Sequence, residues 1–98
     1  MKIRILDRAE DDLVQGFAFY EGQQAGIGDY FLSSLGSDID SLRLYAGIHP
    51  LHFSRYCRLL SKRFPFAIYY TVPDDTALVH AVLDCRRDPA WIRERLRE

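Results

Sequence analysis

The chain has 98 residues, 48% of them hydrophobic and 28% charged, which suits one domain spanning residues 1–98 and leaves little room for an enclosed catalytic cavity. Its net charge of −1 argues against a uniformly basic nucleic-acid or membrane-surface binder, but the charge is polarised: residues 1–50 carry four Lys/Arg against eight Asp/Glu, and residues 51–98 carry nine against six. An anionic partner is therefore permitted on one face, and any site is expected to be shallow.

Lys2 to Leu6 alternates charged with apolar residues, the pattern of a short half-buried strand. The segment is too short, and too soon interrupted by Asp7, for a signal peptide, and no apolar run approaches the ~18 residues of a membrane span. A cytoplasmic protein with no membrane partner is expected. Asp7-Arg8-Ala9-Glu10 has the spacing of a capping box, Asp7 accepting from first-turn amides while Glu10 reaches back. The helix that follows carries Ala9, Leu13, Phe17 and Tyr20 at helical spacing, and Gly26 and Gly28 supply permissive backbone for a turn into the next. The second helix, about Asp29 to Ala46, shows a stripe of Phe31, Leu32, Leu35, Ile39, Leu42 and Ala46, closed by Gly47 and Pro50. So short a link makes an antiparallel helix hairpin, which must pack its stripe on a sheet.

Tyr56 to Ser61, Phe66 to Val72 and Ala77 to Asp84 are rich in aromatic and β-branched residues and predict an antiparallel meander, the last two joined by Pro73-Asp74-Asp75-Thr76. In the middle strand Phe66, Ile68, Tyr70 and Val72 form the expected core face. In the last strand, Leu78, His80, Val82 and Asp84 oppose Val79, Ala81, Leu83 and Cys85, and the alternation does not choose between them. Asp88-Pro89 starts a final helix with Asp as N-cap and Pro at the first helical position, and Ile92 and Leu96 are spaced to dock it. The architecture read from the residues is α+β, with an N-terminal strand, a helix hairpin on an antiparallel sheet, and a short C-terminal helix.

Arg86 and Arg87 stand between that last strand and the final helix, and read either as surface partners of Asp84 or Asp88 or as an exposed basic rim. Arg58 joins Arg55, Lys62 and Arg63 as a possible basic patch across the sheet, or as a solvated edge. His49, His52 and His80 have no convincing catalytic partner, and Tyr56, Tyr69, Tyr70 and Trp91 fit a core better than a base-stacking platform. The cluster Glu10-Asp11-Asp12 is explained by a solvated helix start. Cys57 and Cys85 lack the spacing of a metal site and read as small buried thiols, and without a Gly-rich phosphate loop neither a metal nor another cofactor is expected.

With this order of elements, the segments Ala9-Glu10-Asp11-Asp12-Leu13, Phe19-Tyr20, Arg58-Leu59-Leu60, Phe64-Pro65-Phe66-Ala67-Ile68-Tyr69-Tyr70 and Val82-Leu83-Asp84-Cys85-Arg86-Arg87-Asp88-Pro89 give a chain that resembles the RelE/ParE toxins of type II toxin-antitoxin pairs over nearly its whole length. The fourth and the Arg-Arg-Asp-Pro segments look more like the ParE branch. That resemblance implies a non-enzymatic toxin that binds DNA gyrase, with Arg58, Arg86, Arg87 and Trp91 facing the target, silenced in a hetero-oligomer by a cognate antitoxin. The alternatives it implies are a RelE-like endoribonuclease acting on mRNA at the ribosome through Arg58, Lys62, Arg63 and Arg86, and a non-toxic member that only forms the antitoxin complex. Ala67 stands where RelE-like nucleases carry an arginine, and Trp91 and Ile92 where they carry a tyrosine; Asp84-Cys85 replaces a His-Gly frequent in ParE-like chains.

Overall fold

The computed structural model describes residues 1–97. Strand β1 (Lys2–Ile5) leads into α1 (Asp7–Gln23) and α2 (Ile27–Asp40), a single-turn α3 (Leu42–Tyr45), strands β2 (Leu51–His52), β3 (Tyr56–Leu60), β4 (Phe66–Thr71) and β5 (Thr76–Asp84), and α4 (Pro89–Arg97). The sheet runs β1-β5-β4-β3-β2, with β1 parallel to β5 and every other pair antiparallel. Two consecutive left-handed residues, Asp74 (φ 49) and Asp75 (φ 61), turn β4 into β5, the backbone that tight hairpins favour.

The first helix begins one residue earlier than the capping box requires. Leu6 N–H still bonds Val79 O at 3.0 Å as the last rung of the sheet, and Leu6 occupies the cap position with no side-chain cap, so Asp7 is already helical and the predicted Asp7–Glu10 box does not form. Between α1 and α2 only Gly26 is left-handed (φ 94). Gly28 serves contact instead: a Cβ there would lie 2.7 Å from the Phe17 ring. The Glu21 carboxylate caps α2, accepting from Gly26 N–H at 3.0 Å and Gly28 N–H at 2.9 Å. The predicted second helix is divided at Ser41, whose hydroxyl donates to Asp38 O at 2.6 Å and so competes for a helical acceptor.

The sheet is buried on both faces. Under the helix hairpin lie Phe31, Leu35, Ile39 and Leu42 with Phe66, Ile68, Tyr70, Val79 and Val82, as predicted for β4. On the other face Tyr56, Tyr69, Ala81 and Leu83 meet Ile92 and Leu96 of α4, and the Tyr56 hydroxyl donates to Leu96 O at 2.8 Å. Neither alternation read for β5 holds along its whole length, because a bulge interrupts it. Tyr69 pairs with Ala81 and Tyr70 with Val79, so His80 is the extra residue and the inward parity reverses across it.

Candidate partner-binding rim

The turn after β5 aims the two arginines in different ways. Arg87 N–H donates to Asp84 O at 3.2 Å, and Asp88 then opens α4, its Oδ1 accepting from Ala90 N–H at 2.9 Å. Arg86 folds back on Asp84 in a fork, Nε to Oδ1 at 3.0 Å and Nη2 to Oδ2 at 2.7 Å, while its backbone N–H also reaches Oδ1 at 2.8 Å. These bonds hold the Asp84 carboxyl below the usual range and push the Arg86 guanidinium further up. Arg87 has no such partner among the described residues. Its guanidinium lies 3.8 Å over the ring of Trp91, a residue 38% exposed.

Arg87 and Trp91 form one wall of a groove of about 340 Å³. Gln15, Gly16 and the exposed Phe19 of α1 form the facing wall, with Val82 and Leu83 between. The groove exists because β1 stops short: its last residue, Ile5, pairs with Val79, and beyond that point α1 rather than a strand covers β5. Asp12 Oδ2 there accepts the Val82 N–H at 3.0 Å and the Arg95 guanidinium at 2.7 Å. Asp12 is only 9% exposed, so the reading of Glu10-Asp11-Asp12 as a solvated helix start is corrected for this member. Burial pushes its carboxyl up, and the bonds from Val82 and Arg95 offset part of that rise. Phe19, which lies one position off the stripe that ends at Tyr20, is the other groove residue that periodicity passes over.

The remaining basic candidates do not share this groove. Arg58 pairs across the sheet with Tyr69, on the α4 face, and its charge is felt by Tyr69, Cys85 and His52. Arg63 turns to the helix hairpin, Nη1 donating to the Tyr30 hydroxyl at 3.1 Å, and Lys62 is exposed beside it in the chain. The structure therefore turns Arg63 away to the helix hairpin, whereas the charges of Arg58 and Arg86 both act on the Cys85 thiol. Two of the histidines have structural partners: His49 Nδ1 meets the Tyr70 hydroxyl, and His80 Nε2 lies 2.8 Å from Thr71 Oγ1. Tyr56, Tyr69 and Tyr70 are buried in the core, and Cys57 and Cys85 are free, half-buried thiols. Among the described residues no helix is long and apolar enough to cross a membrane.

No protein-family model matches the sequence. No curated protein matches it either. A solved structure does: a chain of the chromosomal ParDE toxin-antitoxin system from P. aeruginosa superposes with a TM-score of 0.77 at 15% identity, over 84% of this chain and 92% of that one. At that identity the likeness is one of architecture, and it agrees with the element order above. The chain has a RelE/ParE-like α+β fold.

Proposed function

We propose that the chain is the toxin of a type II toxin-antitoxin pair, ParE-like in action, which arrests growth by binding DNA gyrase and is neutralised by a cognate antitoxin in a hetero-oligomer. The observation that carries the reading is the fold likeness to a chain of a ParDE system over 84% of the sequence. The rim agrees with a binding role. Arg87 over a part-exposed Trp91 brings together two of the residue types enriched at interface hot spots, and the pair borders a shallow groove rather than an enclosed reaction chamber. Arg58 and Arg86 belong to the target surface in this reading, with Arg86 already ordered by Asp84.

Cleavage of mRNA at the ribosome is the rival, and the dispersal of its basic residues weighs against it. Stabilising the charge of a phosphoryl transition state needs donors converging on one position, whereas Arg63 faces Tyr30 and Arg86 is held by Asp84. The deciding experiment is to express the chain without antitoxin in growing bacteria and pulse-label DNA and protein synthesis separately. Early loss of DNA synthesis, followed by inhibition of purified gyrase in a supercoiling assay, is expected. Early loss of protein synthesis would refute gyrase as the target. A chain that folds and leaves both processes untouched is a non-toxic partner of its antitoxin.

A further inference from the structure

A basic concavity lies away from the Arg86–Trp91 rim, at the C-terminal end of α4. A cleft of about 210 Å³ there is bordered by Arg8, Arg55, Tyr56, His80, Arg95 and Arg97, with Asp7 as its one acidic lining residue among the described residues. It adjoins a wider cleft of about 510 Å³ that shares Arg55, Tyr56 and Arg97, adds Arg93 and Phe53, and has no acidic lining residue among the described residues. Among the described residues the permanent cations lining this seam are arginines, whose planar forks match phosphate oxygens two at a time.

Not every one of them is available. Arg95 is committed to Asp12 at 2.7 Å and to Arg8 O at 3.3 Å. Arg97 touches Glu94 at a loose 3.4 Å, with both side chains largely in solvent. Arg55 and Arg93 meet no carboxylate among the described residues: each lies 5.1 Å from the centre of an aromatic ring, Tyr56 and Phe53 respectively. A guanidinium held on a ring keeps its N–H edge free for a ligand. The turn that carries Arg55 is itself unusual, since Phe53 (φ 55) and Ser54 (φ 59) are both left-handed without being glycine. Such backbone is costly for a bulky residue and concentrates at functional sites. His80 reaches the same cleft from the side of β5 opposite Val79, at the point where the bulge interrupts the strand.

We propose that this seam binds a phosphate monoester, its phosphoryl group seated in the inner cleft by Arg55 and Arg97 and bordered by the imidazole of His80. The inner volume admits one phosphoryl group rather than a length of strand or peptide, and the two forks of Arg55 and Arg97 at one small space suit a dianion better than a single carboxylate. The assignment stands independently of the toxin reading, since it uses neither the rim nor the fold likeness. A free nucleotide and the terminal phosphate of a nucleic-acid strand offer the same chemistry, and the test separates them.

The full chain is titrated at constant ionic strength with inorganic phosphate, adenosine 5′-monophosphate, a 5′-phosphorylated oligonucleotide and its unphosphorylated counterpart, following heat of binding and the His80 ring signals by NMR. Saturable binding of the phosphorylated probes is expected, with the His80 signals shifting and the unphosphorylated strand weaker. The tighter of nucleotide and phosphorylated strand identifies the source. Arg55→Gln and Arg97→Gln, both at exposed positions, are each expected to weaken binding about tenfold, the size of one lost charge-assisted hydrogen bond, while Arg87→Gln leaves it unchanged. No saturable phosphate binding, equal shifts with chloride, unchanged affinity in both variants, or stronger binding of an oligoglutamate peptide than of any phosphate would each overturn the proposal.

Discussion

Asp12 Oδ2 and Arg95 Nη2 lie 2.7 Å apart, joining the first helix to the last across 83 positions of sequence. Both side chains are nearly enclosed, at 9% and 12% exposure, and the same oxygen takes the Val82 N–H that β1 leaves uncovered. Removing one member of such a pair strands the other charge, which typically costs about 3 kcal/mol or more. Asp12→Ala is therefore expected to lose about that much stability in urea denaturation, and Arg95→Ala a comparable amount. The double variant should lose less than the sum, because the coupling is counted once. Additive losses would show that the pair is uncoupled and that α4 is held by the packing of Ile92 and Leu96 and the Tyr56 hydrogen bond to Leu96 O.

The two structured aspartates respond to pH with opposite sign. Burial raises the Asp12 carboxyl above its unfolded value, so its contribution to stability is complete below that unfolded value and is lost as pH rises through the folded one. The hydrogen bonds of Arg86 lower the Asp84 carboxyl, so its contribution is present above the unfolded value and is lost as pH falls through the folded one. In denaturation series across acid to neutral pH, Asp12→Asn should gain on the parent as pH rises. Asp84→Asn should lose no more than about 1 kcal/mol at neutral pH, because its partner is largely exposed, and that deficit should close in acid. Parallel pH curves for the two variants would contradict the assignment.

What the sequence shows of this fold is its periodic part. The spacing of Phe31, Leu35, Ile39 and Leu42, the alternation of Phe66, Ile68 and Tyr70, and the Asp88-Pro89 start each follow from one local rule, and each stands in the structure. What escaped is what depends on neighbours in space. The bulge at His80 arises where the two strands lose register, and the capping box fails because Leu6 is still bound to Val79. The site divides in the same way. Arg86, Arg87 and Trp91 are legible as a rim from their place between strand and helix, but Asp12 in an acidic run shows no sign of its buried partner 83 positions away. The seam around Arg55 joins a turn, a bulge and a helix end, which no sequence window contains.

Two helical glycines should respond oppositely to the same substitution. A Cβ on Gly16 would sit 2.4 Å from Phe31 Cζ, and Phe31 is fully buried between Tyr20, Phe64 and Phe66, so the ring has nowhere to retreat. Gly16→Ala is expected to cost about 1 to 3 kcal/mol from overpacking, despite the helix preference of alanine. Gly36 lies in α2 with nothing within 4 Å of the added carbon. Gly36→Ala should stabilise by roughly 0.5 to 1 kcal/mol. Thermal or urea unfolding of the two variants checks both signs, and a neutral Gly16→Ala would mean that the helix hairpin can open at its crossing point.

The twin arginines make a separable prediction for function. Arg86 already spends its fork on Asp84, so a partner meeting it must share or break two short hydrogen bonds. Arg87 lies over the Trp91 ring with no carboxylate partner among the described residues, and the pair walls the groove shared with Phe19. Under the proposed toxin function, Arg87→Ala and Trp91→Ala should each weaken growth arrest and target binding by an interface-anchor amount, about 2 kcal/mol or roughly thirtyfold in affinity. Arg86→Ala should cost less, since part of what it loses is its surface pair with Asp84. Circular dichroism is expected to match the parent in all three, because each side chain is exposed. The measurement is the affinity of purified variants for the gyrase holoenzyme, alongside survival after induction. If Arg86→Ala proves the most damaging of the folded variants, the Asp84 fork is a device that presents Arg86 to the target, and the centre of the interface moves from the Trp91 groove to the end of β5.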